Sequence, residues 1–281
     1  MGQHIVDRIV QCMASNSVDA TIQKVQTEHR LKLVEFWKIK EGCKVLEIGC
    51  GQGDTTAVLA YLVGDKGFVH GIDSASPDYG SPITLDDSMN YLMNTKIGNR
   101  IKVDFEMDIL SSDVDFPESA FDFIVLSHCS WYLKSAEELH DILKRLKHWG
   151  KTLCFAEWDT RIKTVEQYPH LLSVLIQAQY ECFKKDSLSN VRTLFTPEDI
   201  KCVTENAGWK IIEEKPIESP DLQDGKWEVE QVISEYQAGL NAIDNVPLKF
   251  NALIESQINL LEIAIDNIEI RPMSVFTFIA E

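Results

Sequence analysis

Basic residues are scarce in this chain of 281 residues: 27 lysines and arginines stand against 44 aspartates and glutamates, a formal charge of −17. A surface of that sign repels phosphate backbones and anionic lipid headgroups, which argues against nucleic acid and membrane surfaces as partners. Long apolar runs are missing as well. Nothing approaches the roughly 18 consecutive apolar residues of a membrane span, and the N-terminal "MGQHIVDRIVQCMASN" lacks the apolar core of a signal peptide. Val6 stands where a myristoylation signal wants Ser or Thr. The seven cysteines are scattered, with no C-x-x-C pair and no histidine at zinc spacing, so they read as reduced thiols and no metal site is expected. These absences predict a soluble, cytoplasmic protein. Repeats, low-complexity tracts and flexible linkers are also absent, and 44% hydrophobic composition suffices for a substantial core in one elaborated domain.

What is present begins with helix periodicity. From Val18 to Trp37 apolar residues recur at three- and four-residue steps, as in a helix with one buried face. Residues 1–40 are therefore assigned to N-terminal helices. Over 41–160 strand-like runs ("KVLEIG", "GFVHGID", "RIKVDFEMD", "FDFIVLSHC", "KTLCFAEWD") alternate with helix-like ones. Such alternation means βαβ units and a parallel sheet with helices on both faces. Gly150 reads as the C-terminal stop of the helix "EELHDILKRLKHW". Two strands are expected at 208–218 and 271–281, and the helical stretches 161–190 and 222–267 are expected to pack on the sheet as a cap. Their apolar stripes would serve a homodimer equally well.

The stretch "KVLEIGCGQGD" carries the chemistry. Three glycines, Gly49, Gly51 and Gly53, alternate after an apolar strand, where a bare backbone allows a ligand to approach closely. A dinucleotide fingerprint needs a third glycine where this chain has Asp54, which argues against a nicotinamide or flavin cofactor. Acids surround the turn instead. Glu47 lies inside the strand, and Asp73 ends the next one, where a carboxylate can accept hydrogen bonds from ribose hydroxyls. Asp108, in "MDIL" at the third strand's end, can accept from an adenine amino group while Ile109 packs on the ring. A sulfonium donor carrying an ammonium group has a use for so many acids, whereas a pyrophosphate does not.

In order and spacing, "VLEIGCGQGD", "GID", "MDIL" and "FDFIVLSHCSWYL" resemble the successive motifs of the class I S-adenosylmethionine-dependent methyltransferases. "GWKIIEEK" and "PMSVFTFIAE" resemble that family's last two strands, and "QTEHR" with "DSASPDYGSPITL" resembles its small-molecule subgroup with added cap helices. The resemblance implies an α/β fold, a Rossmann-like seven-stranded sheet with helices on both faces and an antiparallel last strand, plus helical cap insertions. It implies S-adenosyl-L-methionine as cofactor, bound by Glu47, Gly49, Gly51, Gln52, Gly53, Asp73, Asp108, Ile109 and Ser127. Ser74 is the nearest candidate for a second ribose or adenine contact, because the insert after Asp73 lengthens the usual connection. Either His29 or Arg30 would close over the cofactor's carboxylate.

For the reaction the resemblance implies methyl transfer to an oxygen or nitrogen of a small organic acceptor, as in secondary metabolism. His128, at a strand's carboxyl end, is the first candidate to take the acceptor's proton, and Glu157 the second. Trp131 and Tyr132 are either helix-start packing or the acceptor's aromatic wall. "SHCS" lacks the motifs of amino-directed and cytosine-C5 DNA methyltransferases, which disfavours a nucleic-acid methyltransferase; that reading, a non-catalytic cofactor-binding protein and a lipid methyltransferase are the rivals.

Overall fold

In the computed structural model, which describes residues 2–14, 20–187 and 189–281, seven strands form. They are β1 (Lys44–Ile48), β2 (Phe68–Ile72), β3 (Ile101–Asp104), β4 (Phe121–Ser127), β5 (Gly150–Trp158), β6 (Ile211–Ile217) and β7 (Val275–Ala280). They lie in the order β3-β2-β1-β4-β5-β7-β6. β1 to β5 run parallel, and β7 runs antiparallel to both β5 and β6. The fold is the expected Rossmann-like α/β sheet. The order reverses between β1 and β4, the switch point at whose carboxyl edge open sheets hold ligands.

Alternation along the strands decides which helices cover which face. Val45 and Val125 point to one side, with Leu33, Trp37 and Leu59; Leu46 and Ile124 point to the other, with Leu143 and Trp149. The first face is covered by α1 (Gly2–Val10), α2 (Ala20–Phe36), α3 (Asp54–Val63) and α4 (Leu85–Met93), the second by α5 (Ala136–Trp149) and α7 (Pro197–Asn206). Each fully buried Leu or Ile contributes about 2 kcal/mol of transfer free energy. Val18, placed by spacing in the α2 pattern, lies outside the described residues. α6 (Tyr168–Glu181), α8 (Asp224–Asn241) and α9 (Leu248–Asn267) share a third apolar cluster of their own, around Ile176, Val232 and Leu261.

Buried polar groups tie these layers together. The Trp37 indole N–H donates to Thr277 Oγ1 at 2.8 Å, and the Thr277 hydroxyl donates to the Phe155 carbonyl at 2.6 Å, joining the end of α2 to β7 and β5. All seven cysteines are free thiols. Among the described residues no helix is long and apolar enough to cross a membrane.

One local expectation holds in a different conformation and one is corrected. Gly150 is the C-terminal stop of α5, as expected, but in extended backbone at φ −132°, from which the chain passes straight into β5. Glycine is needed there because a Cβ would lie 2.3 Å from the Ile124 side chain. β3 ends at Asp104, not at Asp108, because Glu106 turns the chain into the left-handed region at φ +54°.

Candidate active site

At the end of β1 the chain makes three left-handed steps, with φ +71° at Gly49, +52° at Gly51 and +89° at Gly53. Gly49 is forced by packing, since a Cβ there would sit 2.7 Å from Cys129 Cβ. Gly51 differs: a Cβ would meet nothing within 4 Å, so its bare backbone faces open space. The Gly51 N–H donates to Asp73 Oδ2 at 2.8 Å and the Ala75 N–H to Asp73 Oδ1 at 2.9 Å. A carboxylate has about four lone-pair positions, so Asp73 keeps acceptor capacity for a ligand. Glu47 is 2% exposed and accepts from the Thr56 hydroxyl at 2.6 Å; burial pushes its pKa up to about 8. Gln52 donates to the Ile83 carbonyl at 2.6 Å, which ties the insert after Asp73 back onto the glycine turn.

The structure distributes the remaining cofactor candidates unevenly. Ser74 is exposed in the turn that Asp73 braces, and Asp108 is exposed in the loop after β3, where it accepts from the Leu110 N–H at 2.8 Å. That loop is held near Asp73 by the bond from the Met107 N–H to the Asp73 carbonyl, and Ile109 is buried. His29 is turned toward His128 and Ser219. Its Nε2 is 3.1 Å from His128 Nε2 and its Nδ1 is 3.0 Å from Ser219 Oγ, so both ring nitrogens are engaged, and burial holds its pKa well below the usual value. Arg30 is the member of the pair that borders the turn, with Nη2 3.9 Å from Asp54 Oδ2.

β4 ends at Ser127, and His128 takes φ +54°, rare for a residue with a Cβ and costing about 1 kcal/mol. Its N–H donates to the Ala156 carbonyl at 2.9 Å, which pins this strained residue to β5. Besides the His29 contact, the His128 ring stands 4.8 Å from that of Trp158, and its Nδ1 is 3.6 Å from Glu157 Oε1. Glu157 is firmly held: Oε2 accepts from the Ser130 N–H and hydroxyl, and Oε1 from the Trp158 N–H. Trp131 is both packing and wall. Its indole N–H donates to the Phe195 carbonyl at 3.1 Å, and it lines a cavity of about 240 Å³ together with Arg30, Tyr132, His128, Glu157 and Trp158. A wider cleft of about 1070 Å³ between α6, the start of α5 and residues 184–187 and 192–194 shares no lining residue with this cavity, and neither lining includes the glycine turn.

Sequence reasoning missed the far wall, formed by His170, Asp224, Trp227 and Glu228. None belongs to a local motif; the one available signal was the four-residue spacing of the two acids on a helix. Among the described residues no group of three or more His, Cys, Asp or Glu side chains is arranged to hold a metal ion.

The donor set fits a sulfonium nucleoside cofactor. The Gly51 backbone is open, Asp73 has free acceptor capacity, and Arg30 Nε, Ser127 Oγ and His128 Nδ1 are buried without hydrogen-bond partners. Buried polar atoms are rarely left unpaired, so three at one site mark a place built for a ligand. The sequence pattern of the methyltransferase domain family matches residues 22–214, more than half of the chain. The chain belongs to the class I S-adenosylmethionine-dependent methyltransferases.

Other methyltransferases and related structures bracket it. It is 32% identical to a cyclopropane-fatty-acyl-phospholipid synthase-like protein from Lactobacillus casei, covering 99% of both chains with a TM-score of 0.86. A geranyl diphosphate C-methyltransferase from Streptomyces coelicolor, solved with S-adenosyl-L-homocysteine, matches 98% of this chain and 87% of its own at 14% identity and a TM-score of 0.52, a likeness of fold alone. Methyltransferase phomM' of Diaporthe leptostromiformis is 31% identical over 118 residues, 36% of this chain. That match spans 30% of the relative's own length. The cofactor of this methyltransferase is S-adenosyl-L-methionine.

Proposed function

We propose that this methyltransferase moves a methyl group to an oxygen or nitrogen atom of a small organic acceptor seated in the 240 Å³ cavity. The observation that carries the reading is the junction of the two half-sites at His128, which lines the cavity and follows β4 beside the glycine turn. When bound, the cofactor supplies a methyl already activated by its sulfonium, so the protein's main task is alignment of the nucleophile in a dry, closed space. Trp131, Tyr132 and Trp158 provide flat walls for that alignment.

His128 is the base of choice when the acceptor needs deprotonation. Its Nδ1 is buried without a hydrogen bond, 3.6 Å from Glu157 Oε1, while its Nε2 is 3.1 Å from His29 Nε2, itself held by Ser219. Glu157, with both oxygens occupied by Ser130 and Trp158, braces the turn that carries His128 rather than accepting the proton itself. Arg30 pairs with the cofactor's carboxylate at the mouth of the glycine turn, and Asp73 with its ribose.

The neighbour of 99% coverage is described as cyclopropane-fatty-acyl-phospholipid synthase-like, which favours a lipid carbon as the second reading. A small cavity walled by Glu157, Asp224 and Glu228 opposes an acyl chain, and the charge of −17 opposes nucleic acid. Incubation with methyl-labelled cofactor and a fractionated cell extract decides among these. The expected result is label in the low-mass polar fraction with matching release of S-adenosylhomocysteine. Label in the lipid or nucleic-acid fraction, or cofactor binding with no transfer at all, overturns the reading.

A further inference from the structure

The far wall of the cavity is unbalanced in charge. Asp224 and Glu228 stand one turn apart on α8, both lining the cavity with Glu157. Asp224 Oδ2 accepts from the Gln26 side-chain amide at 2.7 Å, and Glu228 Oε1 accepts from the Gln177 side-chain amide. Those donors are neutral. Among the described residues neither acid forms an ion pair with a lysine or arginine. Arg30, the one permanent cation among the lining residues, bonds the Gln26 carbonyl and side chain and leans toward Asp54 at the glycine turn.

Three consequences follow from that imbalance. Burial pushes the Glu228 pKa up to about 7, and the neighbouring Asp224 acts in the same direction. Burial also pushes the Tyr132 phenol up, aided by Tyr79, Glu228 and Glu157. Finally, four aromatic faces, Trp131, Tyr132, Trp158 and Trp227, share this wall with the acids. Ring faces attract cations, the more strongly as the site is desolvated. Three carboxylates and four ring faces against the single lining cation, Arg30, which is engaged by Gln26 and turned toward Asp54, form a recognition set for an organic ammonium ion. An anion would meet three carboxylates there, and a neutral alcohol would leave two of them uncompensated.

We propose that the methyl acceptor is a small organic amine, bound as its ammonium ion between Asp224, Glu228 and the rings of Trp131, Tyr132, Trp158 and Trp227. The proposal rests on the methyl-transfer reading above and narrows its acceptor. For reaction the ammonium gives one N–H proton to His128 Nδ1 or to the Glu228 carboxylate. The freed nitrogen lone pair forms the new N–C bond as the C–S bond breaks, with the electron pair of that bond remaining on sulfur. The products are an N-methylated ammonium ion and the neutral thioether, and the abstracted proton passes to solvent.

Calorimetry on the protein loaded with S-adenosylhomocysteine tests this with three probes of similar size and different charge: benzylamine, benzyl alcohol and benzoate. Benzylamine is expected to bind at least about tenfold more tightly than benzyl alcohol, and benzoate most weakly. Glu228→Gln and Asp224→Asn should each weaken benzylamine about tenfold while leaving the affinity for S-adenosylhomocysteine unchanged. No preference for benzylamine, including a failure of all three probes to bind, overturns the proposal; so does a preference that survives in both variants. A protein that does not bind S-adenosylhomocysteine sinks the methyl-transfer reading, and this inference with it.

Discussion

Beside β1 and β2 the backbone and acids of the site come mostly from one continuous stretch, Glu47 to Asp73, whereas beside β4 and β5 the site consists of side chains gathered from segments as distant as Trp131 and Gln231. Two buried glutamates show the contrast. Glu47 on β1 accepts one hydrogen bond from Thr56, and burial pushes its pKa up to about 8. Glu157 on β5 accepts three, from Ser130 and Trp158. The first half is compact, as would suit a cofactor of fixed shape, and the second is assembled from many elements, as would suit an acceptor matched in shape and charge from several sides.

The sharpest way to break this division is at His128, where the halves meet. If it serves the acceptor half as a base, His128→Ala should lower turnover by about 10²- to 10⁴-fold while S-adenosylhomocysteine affinity by calorimetry stays nearly intact. A variant that loses cofactor affinity in proportion would move His128 into the cofactor half. A loss seen mainly in apparent acceptor affinity, insensitive to pH near neutrality, would make it a positioning residue instead.

Asp73→Ala tests the other half. Removing its charge-assisted hydrogen bonds should cost about 2 to 3 kcal/mol in affinity for S-adenosylhomocysteine. Benzylamine affinity measured at saturating S-adenosylhomocysteine should change little. Unchanged cofactor affinity in a folded variant would place the ribose elsewhere.

The smallest expected effect is a dependence of stability on pH. The folded-state pKa of Glu47 is raised from 4.5 to about 8, so its proton favours the folded state; that contribution is complete below about pH 4.5 and lost as the pH rises through about 8. Glu47→Gln cannot lose it. Between about pH 5 and pH 9 the variant should gain about 2 kcal/mol on the natural protein, after allowance for relaxation around the buried charge. Urea unfolding at the two pH values measures it, and parallel changes in both proteins would mean that Glu47 is already ionised when folded.

The sequence by itself determined the sheet, the glycine turn and Asp73. Alternating burial, the left-handed steps at Gly49, Gly51 and Gly53, and an acid at a strand end are all encoded within a few residues, where backbone sterics and side-chain period act locally. Short-range exceptions escaped it. The left-handed turn at Glu106 ends β3 early, and Gly150, besides stopping its own helix, answers the Ile124 side chain across the sheet. In the acceptor half the sequence reached His128, Glu157, Trp131 and Tyr132, and tertiary structure decided the rest. His29 reaches His128 across 99 residues of chain, and Asp224 and Glu228 enter the wall only because α8 packs against α6 and the third apolar cluster. Apolar helix stripes say that a face is buried and not against what, so which polar residues such packing carries into a site is fixed only when the helices dock.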